Sequence, residues 1–238
     1  MRVHGSKHGI SKMLDEIAND WERAQYADLM AEMLDDQSSG ATTGIVAGTR
    51  VATSVGWIAI ERIAAGDAVL TFDAGLRTVR AIKCAPMWAG VGRCPAHFRP
   101  VHVPQGVLGN SHAMTLLPRQ GVLIESDLAE SHTGDPFALV RAESLVGICG
   151  IRRSEPTMPT NVYLLQFDED QIVFTAHGAL CVCPAVGDIL ARVSWDAADR
   201  DYHMLSEDID RELINSIREE IEETWMNDCD EGVLGGAA

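Results

Sequence analysis

The sequence predicts an all-β core framed by one amphipathic α-helix at each end. Between residues 44 and 193, short runs rich in Val, Ile, Leu and Thr alternate with Gly, Asp and Ser turns, which is typical of strands joined by tight loops. Before and after that stretch, apolar residues recur every three or four positions, which is typical of a helix with one buried face. The chain therefore divides into a helical extension with a linker (1–40), a β domain (44–193) and an acidic helix with its tail (200–238).

The length and composition of the chain fit a folded protein. Its 238 residues suffice for a sizeable core, and its apolar (46%) and charged (23%) fractions are near globular averages. No run approaches the roughly 20 apolar residues that cross a bilayer, and Met1–Lys12 lacks the apolar stretch of a secretory signal. We therefore expect a cytoplasmic protein without a membrane segment, while export through a signal at the other end, as in some bacterial routes, stays open.

The formal net charge of −16 is concentrated in two segments. Residues 15–36 carry eight acids and one arginine (−7), residues 207–231 carry eleven acids and two arginines (−9), and the remaining residues carry sixteen of each sign. This distribution speaks against a nucleic acid as partner and favours a basic protein surface, although acidic helices also serve solubility alone. The six cysteines are irregularly spaced, which fits reduced thiols better than a disulfide framework.

The first predicted helix covers residues 10–34. No proline or glycine interrupts this segment, acids fill the face opposite its apolar stripe, and the small polar residues 37–44 end it as a linker. The stripe consists of Ile10, Leu14, Ile17, Trp21 and Ala24, followed by Leu29, Met30 and Met33. Such a stripe must be buried against the β body or against another chain.

Three short loops predict β-hairpins. The glycine-ended loops Ser54–Gly56 and Asp73–Gly75 each join two strand-like runs. Asp168–Asp170 is expected to join a further pair, Val162–Phe167 and Gln171–Phe174, in the same way. The earlier strand-like runs are Thr49–Thr53, Trp57–Ile63, Ala68–Phe72 and Arg77–Ile82.

The second helix is predicted to begin at Ser206. Its hydroxyl is a suitable N-cap, and Glu207 and Asp208 follow in the first turn, where carboxylates offset the positive end of the helix dipole. One apolar stripe is formed by Ile209, Leu213, Ile217, Ile221 and Trp225. We expect the tail from Cys229 onward to fray.

An ordered set of short motifs lies between Gly44 and Asp73. The motifs are Gly48-Thr49, a turn from Thr53 to Gly56, and the strand opening Gly66-Asp67-Ala68-Val69-Leu70-Thr71. This order resembles the beginning of bacterial Hint domains, the Hedgehog/intein-type family, which typically start with Cys, three residues and Gly-Thr. Thr115–Val122 resembles the second block of that family, normally Thr-x-x-His, and a weaker similarity extends to about residue 190. The resemblance implies an all-β Hint-like core with structural roles for Gly48, Thr49, Gly66, Asp67 and Asp73.

The resemblance also implies a chemistry whose groups are missing here. Active members begin self-cleavage with an acyl shift, in which a thiol or hydroxyl at the first position attacks the preceding carbonyl. The corresponding residue in this chain is Gly44, which has no side chain. The histidine of the second block protonates the leaving amide, and here Gln120 stands in its place. We therefore expect no catalytic residue, no cofactor and a degenerate Hint domain that acts as an interaction or accessory module.

Two substitutions of role could restore the reaction. Thr42 or Thr43 could serve as a displaced nucleophile, and His112 could act as the assisting group. A hydroxyl displaced by one residue lies several ångströms from the productive position, where misplacements of about 1 Å already lower the rate strongly. Autoproteolysis at Thr43 stays as the alternative function. At the downstream end, His177 is followed by Gly178, where splicing members have a cyclising asparagine.

A soft-ligand cluster is the remaining candidate site. His177, Cys181 and Cys183 lie close in sequence, and Cys84 and Cys94 could join them. Only Val182 separates Cys181 from Cys183, whereas zinc sites usually place two to four residues between paired cysteines, so we expect no metal. The apolar stripes of the two terminal helices have no assigned partner, which favours an unidentified protein partner or a homodimer through these helices. We expect neither a nucleic acid nor a membrane as partner.

Overall fold

The computed structural model describes residues 40–90, 92–156, 158–185 and 204–230 of the chain. The helix predicted over 10–34, and residues 186–193 at the end of the predicted β domain, lie outside the described residues. None of the helices in the described ranges combines the length and apolar composition that a bilayer span requires.

Strands dominate the described part of the chain, as the sequence predicts. Two α-helices accompany them, α1 (Asp127–Thr133) and α2 (Arg211–Asp230). The strands are β1 (Ile45–Val46), β2 (Arg50–Thr53), β3 (Gly56–Ala59), β4 (Ala68–Thr71), β5 (Gly75–Thr78), β6 (Ala81–Pro86), β7 (Val101–Val103), β8 (Met114–Leu116), β9 (Gly121–Glu125), β10 (Phe137–Arg141), β11 (Arg152–Arg153), β12 (Asn161–Gln166), β13 (Gln171–Phe174) and β14 (Leu180–Cys183). The predicted all-β core and the C-terminal helix are confirmed.

The described strands form three antiparallel sheets. The largest has eight strands, in the order β10-β9-β14-β13-β4-β2-β3 with β5 paired to β4. Two three-stranded sheets, β1-β12-β6 and β11-β7-β8, complete the body. The short loops after β2 and β4 close hairpins, with Thr53 opposite Gly56 and Thr71 opposite Gly75.

The hairpin predicted at Asp168–Asp170 is wrong. β12 pairs with β1 and β6, whereas β13 pairs with β14 and β4, so this loop carries the chain from one sheet into another. Where the chain passes between the sheets, the guanidinium of Arg80 donates to both carboxylate oxygens of Asp168 at 2.7–2.9 Å. A turn composition predicts that the chain reverses, but the partner of each strand depends on contacts distant in sequence.

The run Arg77–Ile82 also divides between two sheets. Val79 and Arg80 separate β5 from β6, and Val79 is buried with its N–H donated to the carbonyl of Asp67. The strand-like run is thus interrupted at a buried residue where the chain passes from one sheet into another.

Helix α2 packs on the same core as the strands. Leu213, Ile214, Ile217 and Ile221 are buried in the main apolar cluster, together with strand residues such as Val173. On α2, the guanidinium of Arg218 donates to the carbonyls of Ser144 at 2.9 Å and Val146 at 3.3 Å. The apolar stripe of this helix is thus buried within its own chain.

The start of α2 differs from the sequence prediction. The helix begins at Arg211, because Ser206 and Asp210 form a preceding turn in which the Asp210 carboxylate accepts the N–H of Ser206 at 2.8 Å. Ile209 lies in that turn and is 83% exposed, so its assignment to the buried stripe is wrong. A good N-cap residue marks where a helix can begin, but here the local turn is completed first.

Helix α1 is fixed at its N-terminus by α2. The Ser126 hydroxyl accepts the N–H of Ala129 at 3.0 Å and donates to the carboxylate of Glu220. The other oxygen of Glu220 accepts the N–H of Asp127 at 2.8 Å. A carboxylate at this end satisfies free N–H groups and complements the helix dipole, so α2 stabilises α1.

Candidate functional site

Gly44 and Gln120 meet at the start of β1. The backbone N–H of Gly44 donates to Oε1 of Gln120 at 2.9 Å, although the two residues are far apart in sequence. Gln120 is 1% exposed and lies in the turn that leads from β8 into β9. The nitrogen of the Thr43–Gly44 peptide bond therefore faces the side chain that the resemblance aligns with the assisting histidine.

The orientation of the Gln120 amide follows from its other partners. Nε2 donates to the carbonyl oxygens of Gly121 and Val182, each at 2.9 Å. A flipped amide would set Oε1 against two carbonyls and Nε2 against an N–H, leaving buried polar groups unpaired. Oε1 is thus held on the Gly44 nitrogen as an acceptor, and an amide has no proton to transfer at neutral pH.

Gly44 occupies a position that excludes a side chain. Its φ of +119° lies in the region that favours glycine. A Cβ atom built there would stand 2.7 Å from Cγ1 of Val162 and 3.1 Å from the carbonyl oxygen of Tyr163. A side chain at the first position would require the Val162 side chain or the neighbouring backbone of β12 to shift.

The threonines before Gly44 are close to the same amide. The Thr43 hydroxyl donates to Oε1 of Gln120 at 3.3 Å, and its residue is exposed. The carbonyl of Thr42 accepts the N–H of Arg119 at 2.8 Å. An amide oxygen is too weak a base to take a proton from a hydroxyl, so the described contacts leave Thr43 unactivated.

A cleft of about 330 Å³ opens beside β1. It is lined by residues 44–49, at and after β1, and by residues 113–116, at β8. The remaining lining residues are His102, Thr175, His177, Ala179 and Cys181. The cleft thus lies directly downstream of the Thr43–Gly44 bond.

The two histidines named from the sequence lie against each other. The rings of His112 and His177 are 5.7 Å apart at a steep angle, and His177 lines the cleft while His112 does not. Nδ1 of His112 contacts the Ser111 hydroxyl at 3.1 Å. The described contacts of His112 are therefore with His177 and Ser111.

Asn110 is a site-shaping residue that sequence reasoning missed. It is 1% exposed, and its Nδ2 donates to the carbonyls of Pro104 and His112, each at 2.8 Å. Its Oδ1 accepts the N–H of Leu108 at 3.0 Å. The Gly109-Asn110-Ser111 composition indicates a turn, but only the fold shows that this turn supports the histidine pair.

Cys181 and Cys183 point into the core. Both thiols are fully buried, and desolvation raises the pKa of Cys181 to about 12 and that of Cys183 well above its ordinary value. Cys94 is buried elsewhere, and Cys84 is exposed on β6. Among the described residues, no three His, Cys, Asp or Glu side chains come close enough together to hold a metal ion.

The other motif residues lie in or beside turns, and of these residues Gly48 and Thr49 line the cleft. The N–H of Gly48 donates to Oε2 of Glu61 at 2.9 Å, and this bond is the main reason why the pKa of Glu61 is lowered. The carboxylate of Asp67 accepts the N–H of Ala64 at 2.8 Å, and Gly66 between them has a φ of +100°. The backbone carbonyl of Thr49 accepts the N–H of Ile60 at 2.8 Å. Asp73 lies apart, beside a second cavity.

Comparisons with known proteins find similarity to Hint and intein-like domains. The family model described as the Hint domain matches residues 43–182. A bacterial intein-like domain from Clostridium thermocellum is 16% identical, with 59% of this chain and 99% of that chain covered and a TM-score of 0.41. The MchDnaB-1 intein is 15% identical, with coverages of 57% and 98% and a TM-score of 0.34. A splice-inactive variant of the AceL NrdHF class 3 split intein is 17% identical, with coverages of 60% and 99% and a TM-score of 0.32. No curated protein matches the chain.

Proposed function

This chain belongs to the Hint domain family, and we propose that its Hint domain does not cleave itself but works as an interaction or accessory module in the cytoplasm. No disulfide joins any pair among Cys84, Cys94, Cys181 and Cys183, as expected in a reducing compartment.

The pairing of Gly44 with Gln120 carries this proposal. Cleavage needs an attacking atom on the residue after the scissile bond and a proton donor facing the leaving nitrogen. Gly44 supplies no such atom, and a Cβ at this position would stand too close to the Val162 side chain unless that side chain shifted. Gln120 presents an oxygen, and not a proton, to the nitrogen. The loss of either function typically lowers the rate by several orders of magnitude. Because both are missing, we expect no useful reaction.

Autoproteolysis at Thr43 is the second candidate. In that reaction the Thr43 oxygen would attack the Thr42 carbonyl, the bond to the Thr43 nitrogen would break, and the hydroxyl proton would pass to that nitrogen, leaving an ester for water to hydrolyse. The N–H of Arg119 on the Thr42 carbonyl favours it, because such a donor stabilises a developing oxyanion. The hydroxyl, however, faces only an amide oxygen.

Intact mass spectrometry of the purified full chain separates these two functions. We expect one intact mass after prolonged incubation, with and without hydroxylamine, which would cleave an ester. Fragments that break between residues 42 and 43, are lost in Thr43→Ala and persist in the control Thr78→Ala, an exposed threonine on β5, would establish autoproteolysis.

A basic protein surface is the partner we propose, and not a nucleic acid or a membrane. Glu212, Glu219 and Glu223 lie on the exposed face of α2, and the acidic excess of the chain lies in its terminal segments. Because the stripe of α2 is buried in its own core, a homodimer would use the stripe predicted over residues 10–34.

Replacing exposed glutamates of α2 with glutamine tests whether their charge binds the partner, and it leaves the buried core unchanged. Glutamine at positions 212, 219 and 223 should abolish capture of the partner in a pull-down, whereas glutamine at Glu125, Glu130 and Glu169, which are also exposed, should not. Equal capture by both triple variants would contradict a partner held by α2.

A further inference from the structure

The chain enters the described structure beside an aromatic pair. Gly40 forms an antiparallel bridge with Trp88, and the N–H of Ala41 donates to the carbonyl of Met87 at 3.1 Å. A Cβ atom on Gly40 would stand 3.3 Å from the rings of both Trp88 and Phe98, whose centroids are 5.4 Å apart. The residues before Gly40 therefore join the β body at a defined point, next to Phe98.

Two arginines near Phe98 share one carboxylate. The guanidinium groups of Arg93 and Arg99 both contact Oε1 of Glu155, at 3.0 and 2.8 Å. The Arg93 side chain is still 80% exposed, and the Arg99 guanidinium also donates to the carbonyl of Cys94 at 3.0 Å. Two positive charges against one negative charge leave this corner with a positive excess.

Two further arginines lie near the same point of the chain. The N–H of Arg119 donates to the carbonyl of Thr42 at 2.8 Å, and Arg119 is exposed. Arg153 donates to the carbonyl of Ala96 at 2.9 Å and forms an ion pair with Glu143 at 2.9 Å. We call these four residues the arginine patch: Arg93, Arg99, Arg119 and Arg153. Within the described residues named here, four positive charges stand against the two glutamates, so the patch is positive.

The segment before Gly40 is acidic up to its end. Residues 15–36 carry a formal charge of −7, and residues 24–39 contain neither Lys nor Arg. Glu32 lies in the last turn of the helix predicted over residues 10–34, and two aspartates follow it. The helix dipole disfavours negative charge at that end. A helix that ends in this way needs cations from elsewhere to offset its carboxylates.

The short linker keeps these carboxylates near the arginine patch. Asp36 is four residues from Gly40, so their Cα atoms are at most about 14 Å apart. A helix rises only about 1.5 Å per residue, which places Glu32 about 6 Å further along the axis if the helix reaches Asp36. Each exposed ion pair is weak by itself, but several act together when a linker holds the segment close to its site.

We propose that the acidic segment of residues 15–36 docks in cis on the arginine patch, with its last three acids, Glu32, Asp35 and Asp36, facing the arginines. The patch is then covered by its own chain and does not attract an acidic partner. This inference goes beyond the proposed function and does not depend on it. The basic partner proposed above then meets α2, because the acids of the N-terminal segment are offset within the chain.

Amide hydrogen exchange of the full-length protein, measured by mass spectrometry on peptides covering residues 24–36, tests the docking. We expect protection at low salt that is lost in about 1 M NaCl, where the Debye length is only about 3 Å. Arg93→Glu combined with Arg119→Glu should speed exchange at least about tenfold. Arg77→Glu combined with Arg211→Glu reverses the same charge at two other exposed arginines and should leave exchange unchanged.

Reversing the charge of the segment makes the test specific. Asp35→Arg combined with Asp36→Arg should also speed exchange, because both acids then repel the patch. A helix held by its own dipole alone would instead be stabilised by these arginines. Joining this pair of changes to Arg93→Glu and Arg119→Glu should restore the protection, because attraction returns with the signs exchanged.

Four results would overturn the inference: no salt-sensitive protection of residues 24–36 in the wild type, equal exchange in the two arginine double variants, slower exchange in the aspartate double variant, or no recovery in the combined variant. Protection found only in a dimer fraction from size-exclusion chromatography would assign the segment to a second copy and overturn docking in cis. The wild-type salt series does not depend on any variant folding. The exchange data are separate from the intact mass and the α2 pull-down, so this inference and the proposed function can fail independently.

Discussion

The backbone N–H of Gly44 donates to Oε1 of Gln120 at 2.9 Å, across 76 positions of the chain. The Gly44 nitrogen therefore faces an amide oxygen that accepts its hydrogen bond, and not a group that could donate a proton to it. Because Gln120 also donates to the carbonyls of Gly121 and Val182, the contact ties the start of β1 to β9 and β14.

Replacing Gln120 with alanine should destabilise the fold. The substitution leaves the buried N–H of Gly44 and the carbonyl of Val182 without this partner, and an unpaired buried group costs about 1–3 kcal/mol. We expect the free energy of unfolding in urea to fall by about 2–4 kcal/mol. Gln105→Ala, at an exposed position, is the control and should change it by less than about 0.5 kcal/mol. A loss in Gln120→Ala no larger than in the control would contradict the structural role.

The substitution Gly44→Ala separates steric exclusion from backbone strain. Gly44 and Gly48 both have positive φ, at +119° and +87°, but a Cβ at Gly48 meets nothing within 4 Å. Gly48→Ala should therefore cost only the strain, about 1–2 kcal/mol. Gly44→Ala adds the contact with Val162 and should cost about 1–3 kcal/mol more. Equal losses in thermal unfolding would show that β12 yields readily and that the first position can hold a side chain.

The sequence predicts well what local pattern decides. The run Ala68–Phe72 predicts the strand β4 (Ala68–Thr71), and the motif order identifies Gly44 and Gln120 as the aligned pair before any contact is known. The pairing of β12 was not predictable in the same way, because Asp168–Asp170 has the composition of a hairpin loop and yet connects two sheets. Strand partners depend on packing between distant segments, and a turn composition contains no information about them.

The buried thiols should resist alkylation in the native protein. A thiol with a pKa of about 12, as burial gives Cys181, is roughly 1,000-fold less ionised at neutral pH than one with the ordinary value of 9.0. With iodoacetamide, peptide mapping should find Cys84 modified first, because it is exposed. Cys181 and Cys183 should react only in denaturant. Rapid native labelling of Cys181, which lines the cleft, would contradict this prediction and show that reagents reach its thiol in the folded protein.

Two isoleucines of the C-terminal region offer a matched test of how α2 packs. Sequence periodicity assigns Ile209 and Ile217 to one stripe, but Ile217 is 0% exposed and Ile209 is 83% exposed. Ile217→Ala should lower the free energy of unfolding by about 2–5 kcal/mol because it leaves a cavity. Ile209→Ala should change it by less than about 0.5 kcal/mol. Similar losses at both positions would mean that the helix begins earlier, near Ser206.

The hydrogen bond between Gly48 and Glu61 should make part of the stability depend on pH. The N–H of Gly48, as the largest cause, lowers the pKa of Glu61 below its ordinary value of 4.5. A carboxyl with a lowered pKa in the folded state stabilises the protein above the unfolded pKa, and this contribution is lost as the pH falls through the folded value.

Glu61→Gln should therefore have a lower Tm than the wild type near pH 7, and the difference should disappear as the pH falls below the folded pKa of Glu61. Glu169→Gln, which changes an exposed carboxylate between β12 and β13, is the control and should show no such trend. A Tm difference for Glu61→Gln that stays constant from neutral to acidic pH would contradict the assignment. In that case the turn at Gly48, which borders the cleft, would be held by the backbone alone and not by the charge of Glu61.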